Sequence, residues 1–269
     1  MALAHVPYDD ARQIVSETLD KGVNYIDLPA PTIGGDIEVV LAGAIKGRRD
    51  SLFLAGRTAR RDAAGAADEL AEILRRLQTE YLDLYQFDAI ADIQDLQQIL
   101  APDGAGKAML NARACGQAKM VGFAAHDVEA GLALMESFPV DAILAPVNFV
   151  CFRQGNFGPQ LLAAASKQRI ARLGCDSLAY TPWPDGAARP YPSCPYRPID
   201  VVQLARQAIR FALTEDVTAI LAPPDAKLLD MAIECTKDIT PLPPEQRQSL
   251  LESARGLDAI FSYQRTGAD

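Results

Sequence analysis

Asn24-Tyr25-Ile26-Asp27-Leu28-Pro29 is a short β-rich run after Gly22 that ends in one carboxylate before the loop Pro31-Thr32-Ile33-Gly34-Gly35. Helix-patterned segments stand on both sides of it, giving the order α–β–α. Asp27 then falls at the C-terminal end of a strand, where barrel enzymes carry their catalytic groups. An aspartate in that place also serves as a buried structural group holding loop amides, and both readings stand at this point.

Working outward, the same unit repeats. Ala11, Ile14, Val15, Thr18 and Leu19 fall at helical spacing, with Gly22 as a stop. Ile37, Val40, Leu41, Ala44 and Ile45 repeat that spacing, as do Leu70, Ile73, Leu74 and Leu77. Further amphipathic stretches lie near 107–117, 127–137, 158–168, 200–213, 226–236 and 244–260. Between them stand apolar or β-branched runs: Tyr25–Leu28, Leu52–Ala55, Leu82–Phe87, Met120–Ala124, Ala142–Val147, Ile170–Cys175 and Thr218–Ala222. Near-continuous apolar strands alternating with amphipathic helices predict a parallel sheet covered by helices. The reading is a single α/β domain over residues 1–269, a (β/α)8 TIM barrel. Its first strand is short or missing, because only Met1-Ala2-Leu3-Ala4 precedes the first helix.

Composition agrees with that size class. A chain of 269 residues is close to the roughly 250 typical of such barrels. The net charge of -9 disfavours nucleic acid and anionic membrane surfaces as partners. No apolar run reaches the ~20 residues of a membrane span. Cys115, Cys151, Cys175, Cys194 and Cys235 are scattered and odd in number, without metal-ligand spacing, which suggests reduced thiols in a cytoplasm. With only His5 and His126 in the chain, no metal site is expected. One proline-dense stretch, Tyr180 to Pro198, follows the Ile170–Cys175 strand and holds the single Trp, Trp183. It reads either as a lid or binding loop or as a solvated excursion pinned by its prolines.

Several segments, taken in order, resemble the aldo-keto reductase superfamily of barrel reductases. They are Gly22 to Asp27, Glu38 to Ile45, Leu52 to Arg57, Glu69 to Gln86, Lys119 to His126 and Pro146 to Phe149. The tail, from Tyr196 through Ala208–Leu213 to Asp225, is similar to the C-terminal part of bacterial members. The resemblance implies an NADP(H)-linked oxidoreductase with a catalytic tetrad of Asp, Tyr, Lys and His. In that tetrad the Tyr protonates the carbonyl oxygen as hydride arrives, and an Asp-paired Lys lowers its pKa.

Carried over residue by residue, the tetrad breaks. Asp27 matches the Asp. Thr32, Ile33 and Gly34 stand where the Tyr is expected, Arg57 replaces the Lys, and Asp88 replaces the His. Asp27 and Arg57 are expected to form an ion pair, Arg being a bidentate donor. Asp27, Arg57 and Asp88 together would suit redox-neutral proton transfer, since two neighbouring carboxylates can divide acid and base roles. They would equally suit a structural network filling a vacated site. His126 reads as a mark of the bacterial branch first and a functional residue second. Tyr180 is a candidate phenol from another direction.

For a dinucleotide, the resemblance points to Gln86, Asn148, Asp176 and Lys227. Asn148 matches an amide position that contacts nicotinamide. The segment Ala222 to Lys227 matches the run that grips the adenosine 2′-phosphate, but offers one base, Lys227, beside Asp225. NADP(H) binding is therefore expected to be weak or lost. Three functions follow: a divergent oxidoreductase, a barrel repurposed as a lyase, dehydratase or isomerase, or a non-catalytic pseudoenzyme. A small-molecule substrate is the expected partner, with homo-oligomerisation or assembly with a related subunit as a further expectation.

Overall fold

The computed structural model describes residues 6–31, 37–237 and 239–264. The positions Thr32, Ile33 and Gly34, and the expected first strand at Met1–Ala4, lie outside them. The chain divides into two compact units that meet in sequence at Ile143 and Leu144.

In the first unit, helix α1 (Tyr8–Asp20) precedes strand β1 (Tyr25–Asp27). There follow α2 (Ile37–Ile45), β2 (Phe53–Thr58), α3 (Ala63–Leu77) and β3 (Leu82–Ile90). The unit continues with α4 (Ile93–Leu100), α5 (Ala105–Ala114), β4 (Ala118–Ala125) and α6 (Val128–Ser137). Strands β1 to β4 pair in chain order and in parallel. Three helices begin at an aspartate whose carboxylate accepts an amide of the first turn: Asp62 from Gly65, Asp92 from Asp95 and Asp127 from Ala130. Each such cap contributes about 1 kcal/mol.

The two faces of this sheet are chemically different. Toward α3, Tyr85 donates its hydroxyl to the Ala66 carbonyl at 2.7 Å and Thr58 donates to Glu69 at 2.6 Å. At Gly56 a Cβ would come within 2.8 Å of Leu82 on the neighbouring strand and 3.5 Å of Ile73 on α3, so the position has no room for a side chain. Leu54, Ile73, Leu77, Leu82 and Phe87 are buried at 2% exposure or less. Truncating any of them to Ala would cost about 2–5 kcal/mol. The other face carries, by alternation, Tyr25 and Asp27 on β1, Arg57 on β2, and Gln86 on β3.

In the second unit, β5 (Ala142–Pro146), which straddles the boundary, leads to a π-helical turn at Cys151–Gly155, α7 (Pro159–Gln168) and β6 (Ala171–Cys175). Strands β7 (Ala179–Thr181) and β8 (Arg197–Pro198) form a separate antiparallel pair. Helix α8 (Val202–Thr214), strand β9 (Ala219–Ile220), α9 (Ala226–Thr236) and α10 (Pro244–Ser253) complete it. The sheet order here is β5, β6, β9. A core of Phe149, Val150, Leu178, Ile209 and Phe211 packs the helices on it.

All seven anticipated strands form. Two helical readings need correction. The stretch 244–260 is helical only to Ser253, because Gly256 adopts a φ of +81° and turns the chain. Helix α4 was not anticipated, although Asp92 at its cap is a local signal for it.

Candidate functional site

The parallel register sets Arg57 beside Gln86 and Asp27 beside Ala55. Three strand ends thereby deliver their charged side chains to one point. The Arg57 guanidinium takes both oxygens of Asp27: Nε donates to Oδ1 at 3.3 Å, and Nη2 donates to Oδ2. Its Nη1 donates to Oδ1 of Asp88 at 3.1 Å. The side chains are 20%, 8% and 14% exposed for Arg57, Asp27 and Asp88. Gln86, fully buried, adds a longer contact from Nε2 to Oδ1 of Asp27 at 3.4 Å. The expected Asp27–Arg57 ion pair is present, and Asp88 completes a three-member network.

Asp88 shares the face of Gln86 by alternation, and the strand is deformed just beyond it. The β3–β4 register shifts between Phe87 and Ile90, and Ala89 has a φ of +46°. A left-handed alanine costs on the order of 1–2 kcal/mol, so the bulge needs support. Arg61 supplies it by donating from Nη2 to the carbonyls of Asp88 at 2.6 Å and Ala89 at 3.3 Å. Asp95 in turn clamps Arg61 and accepts the Ala91 amide at 3.2 Å. Bulges next to functional groups re-aim side chains. Sequence reasoning missed this Arg61–Asp95 clamp, whose local trace is the Asp92-x-x-Asp95 capping pattern.

Beneath the network lies a second feature that pattern reading passed over. Tyr25, two residues before Asp27 on the same face, stacks on Phe53 with ring centroids 5.1 Å apart. Its hydroxyl is buried and has no hydrogen-bond partner among the described residues. Burial pushes that phenol well above its ordinary range, the Asp27 charge adds to the rise and Arg57 opposes it. Such a phenol holds its proton too tightly to serve as an acid near neutral pH.

The remaining candidates are placed as follows. His126 follows β4 directly with an exposed side chain, and its amide is bonded to the Ile90 carbonyl at 2.9 Å. Asn148, Asp176, Tyr180 and Lys227 belong to the second unit. Asn148 is buried, accepts the Cys151 amide at 2.8 Å and donates to the Cys151 thiol at 3.3 Å. Asp176 sits in a left-handed turn with a φ of +56°, next to Cys175, whose thiol reaches its carboxylate at 3.4 Å. Burial, reinforced by the neighbouring Asp176, pushes the Tyr196 phenol far up. Tyr180 is part-buried on β7 with the Arg197 guanidinium 5.9 Å from its ring centre. Lys227 donates from Nζ to the Pro190 carbonyl at 3.1 Å. Among the described residues, no group of three metal-ligating side chains is placed to hold an ion, and no helix is long and apolar enough to cross a membrane.

Comparison with known proteins bears on this geometry. The model of the aldo/keto reductase family matches residues 1–171. Aldo-keto reductase YhdN of Bacillus subtilis (strain 168) is 28% identical over 152 residues, which is 51% of this chain and 43% of that protein. The match therefore spans less than half the length of that curated relative. Among solved structures, the holo form of aldo-keto reductase AKR11C1 from Bacillus halodurans superposes with a TM-score of 0.73 at 20% identity, covering 96% of this chain and 91% of the other. An aldo/keto reductase from Klebsiella pneumoniae in complex with NADP and acetate gives 0.67 at 21% identity, covering 97% and 90%. At these identities the likeness is one of fold, and it establishes the (β/α)8 class read from the strand–helix alternation.

Proposed function

The chain belongs to the aldo/keto reductase family, and from that premise we propose that it is a divergent member that has given up ordinary carbonyl reduction with NADPH. The observation that carries this reading is the double engagement of Arg57 by Asp27 and Asp88. Carbonyl reduction needs a proton at the substrate oxygen while hydride, supplied by the nicotinamide when bound, reaches the carbon. In the family pattern a cation beside the tyrosine lowers its pKa. Here the cation's donors are taken up by two carboxylates, and the Tyr25 phenol below them is shifted the wrong way.

The residues assigned to a dinucleotide by resemblance do not fit that task. Asn148 uses its amide within its own turn, and Gln86 turns its amide N–H to Asp27, its Oε1 being buried without a hydrogen-bond partner among the described residues. Asp225 occupies the start of α9, where phosphate would need donors. No step through NADP(H) follows from these residues.

One further observation favours redox-neutral acid/base chemistry on a small molecule as a second reading. Arg57 grips Asp27 through both oxygens but Asp88 through Oδ1 alone, and Asp88 is the more exposed of the two. Asp27 would anchor the cation, and Asp88 would be the group that exchanges a proton with substrate.

The test is direct. Purified protein is mixed with NADPH and simple aldehydes while nicotinamide absorbance is followed. Loss of a positioned acid costs on the order of 10²–10⁴ in rate, so turnover should fall below about 0.1 per second, where ordinary enzymes reach about 10 per second. Turnover on the order of 10 per second, ordinary for enzymes, would overturn the reading.

A further inference from the structure

We propose that the proline-dense segment after β7 is a fixed strap over the first turn of α9, closing the place where the family pattern would put the adenosine 2′-phosphate. This rests on the reading that the NADPH-linked chemistry has been given up, and it deepens that reading by naming the nucleotide feature that the chain can no longer recognise.

The strap is bonded at several points, all within the second unit. At its base, β7 and β8 pair and hold both ends together. Across its middle, Trp183 donates its indole N–H to the Cys194 carbonyl at 2.9 Å. The decisive contact is at Asp225, which is 3% exposed. One oxygen accepts the Lys227 amide at 3.0 Å, capping α9, and the other accepts the Ser193 amide of the strap at 3.2 Å. Cys194 and Tyr196 of the strap then pack with Leu228 of α9 and Ala179 of β7 in a small buried core. The Lys227 ammonium reaches the Pro190 carbonyl.

These contacts differ in weight. The Lys227–Pro190 contact is exposed and adds little. The Asp225–Ser193 contact is part-buried, and the carboxylate that accepts it is 3% exposed. Displacing the strap would take one donor from a buried carboxylate and uncover an apolar cluster. A 2′-phosphate would also meet the Asp225 charge at the helix start. Helix N-termini bind anions through free amides, and here an aspartate already fills that role. The loop is thus fastened at Trp183 and at residues 193–196, while residues 184–190 between them are exposed.

The consequence is a loss of discrimination. NADPH and NADH differ only in the 2′-phosphate, so the full chain should bind the two equally, within about twofold, or bind neither. Titration of each by nicotinamide fluorescence reads this ratio. Lys227→Ala should leave the ratio unchanged. Asp225→Ser keeps a helix cap but removes the charge, and should shift the ratio toward NADPH by several-fold where binding is measurable. Hydrogen exchange covers the case in which nothing binds. The amides of Ser193 and Lys227 should exchange slowly in the free protein, and saturating 2′,5′-ADP should leave their rates unchanged. Equal or absent binding with unchanged exchange supports the strap. Tenfold preference for NADPH, a tenfold loss of NADPH binding in Lys227→Ala, or fast exchange of the Ser193 amide overturns it. Aldehyde turnover with NADH and NADPH at equal efficiency would sink the reading of lost reduction and leave the strap standing.

Discussion

Replacing Arg57 by Ala leaves two carboxylates facing each other without their cation. Asp27 loses both donors of the guanidinium face and keeps only the 3.4 Å contact from Gln86. Asp88, less buried, loses its single contact and can regain some water. Breaking a buried ion pair on one side costs about 3–5 kcal/mol, chiefly because a desolvated charge remains. Unfolding entropy for a chain of this length makes each kcal/mol worth about 2 °C of Tm. The expected loss is therefore about 6–10 °C by circular dichroism, with a matching fall in urea midpoint. The triple variant Asp27→Asn, Arg57→Met, Asp88→Asn removes the stranded charges while keeping volume, and should recover more than half of that loss. Non-additivity of this kind is expected of side chains in one network. If Arg57→Ala melts within 2 °C of the parent, the three groups do not form the network described. If it melts low and the triple variant melts lower still, the cost is packing rather than charge.

Two other substitutions test neighbouring claims. Tyr25→Phe removes a buried hydroxyl that lacks a partner and should stabilise the protein by about 1 kcal/mol; a comparable loss in urea unfolding would mean the phenol is bonded after all. Asp83 is held below the usual carboxylate range: its burial acts upward, but the Leu54 amide, Lys119 and Arg49 together outweigh it. A lowered folded pKa contributes stability that is present above the unfolded value of about 3.9 and lost as pH falls through the folded value. Asp83→Asn should therefore be less stable than the parent at pH 7, with the two curves converging as pH falls below about 4, and an equal gap at both ends of that range would refute the assignment.

The strands were legible because near-continuous apolar runs have few other uses in a chain with this many amphipathic helices. The charged triad was legible because a parallel register aligns strand ends, so Asp27, Arg57 and Asp88 could be placed together from their positions alone. The support beneath them was not. Nothing local marks Ala89 as left-handed, since alanine there is held by Arg61 from an adjacent loop rather than by its own preference. The Tyr25 hydroxyl is invisible for the opposite reason: on an apolar strand an aromatic ring reads as core, and the missing partner appears only when its neighbours are known. The strap could be seen as a proline cluster, but its fastening depends on Asp225, a residue that in sequence reads only as a helix cap.

The two replacements in the triad are best understood as one change. A lysine at position 57 would present a single ammonium, able to satisfy one carboxylate well. Arginine presents a planar fork with two usable edges, and here one edge takes Asp27 while the end of the other takes Asp88. An aspartate at position 88 thus suits the guanidinium, giving its second edge a charge-assisted contact that the single acceptor nitrogen of a neutral histidine would replace more weakly. Counted formally, an Asp–Lys pair is neutral, whereas Asp–Arg–Asp carries one net negative charge at the strand ends of the first unit. Arg57→Lys alone would therefore leave Asp88 competing with Asp27 for a single ammonium, and a return toward reduction needs Asp88→His and Ile33→Tyr in the same chain.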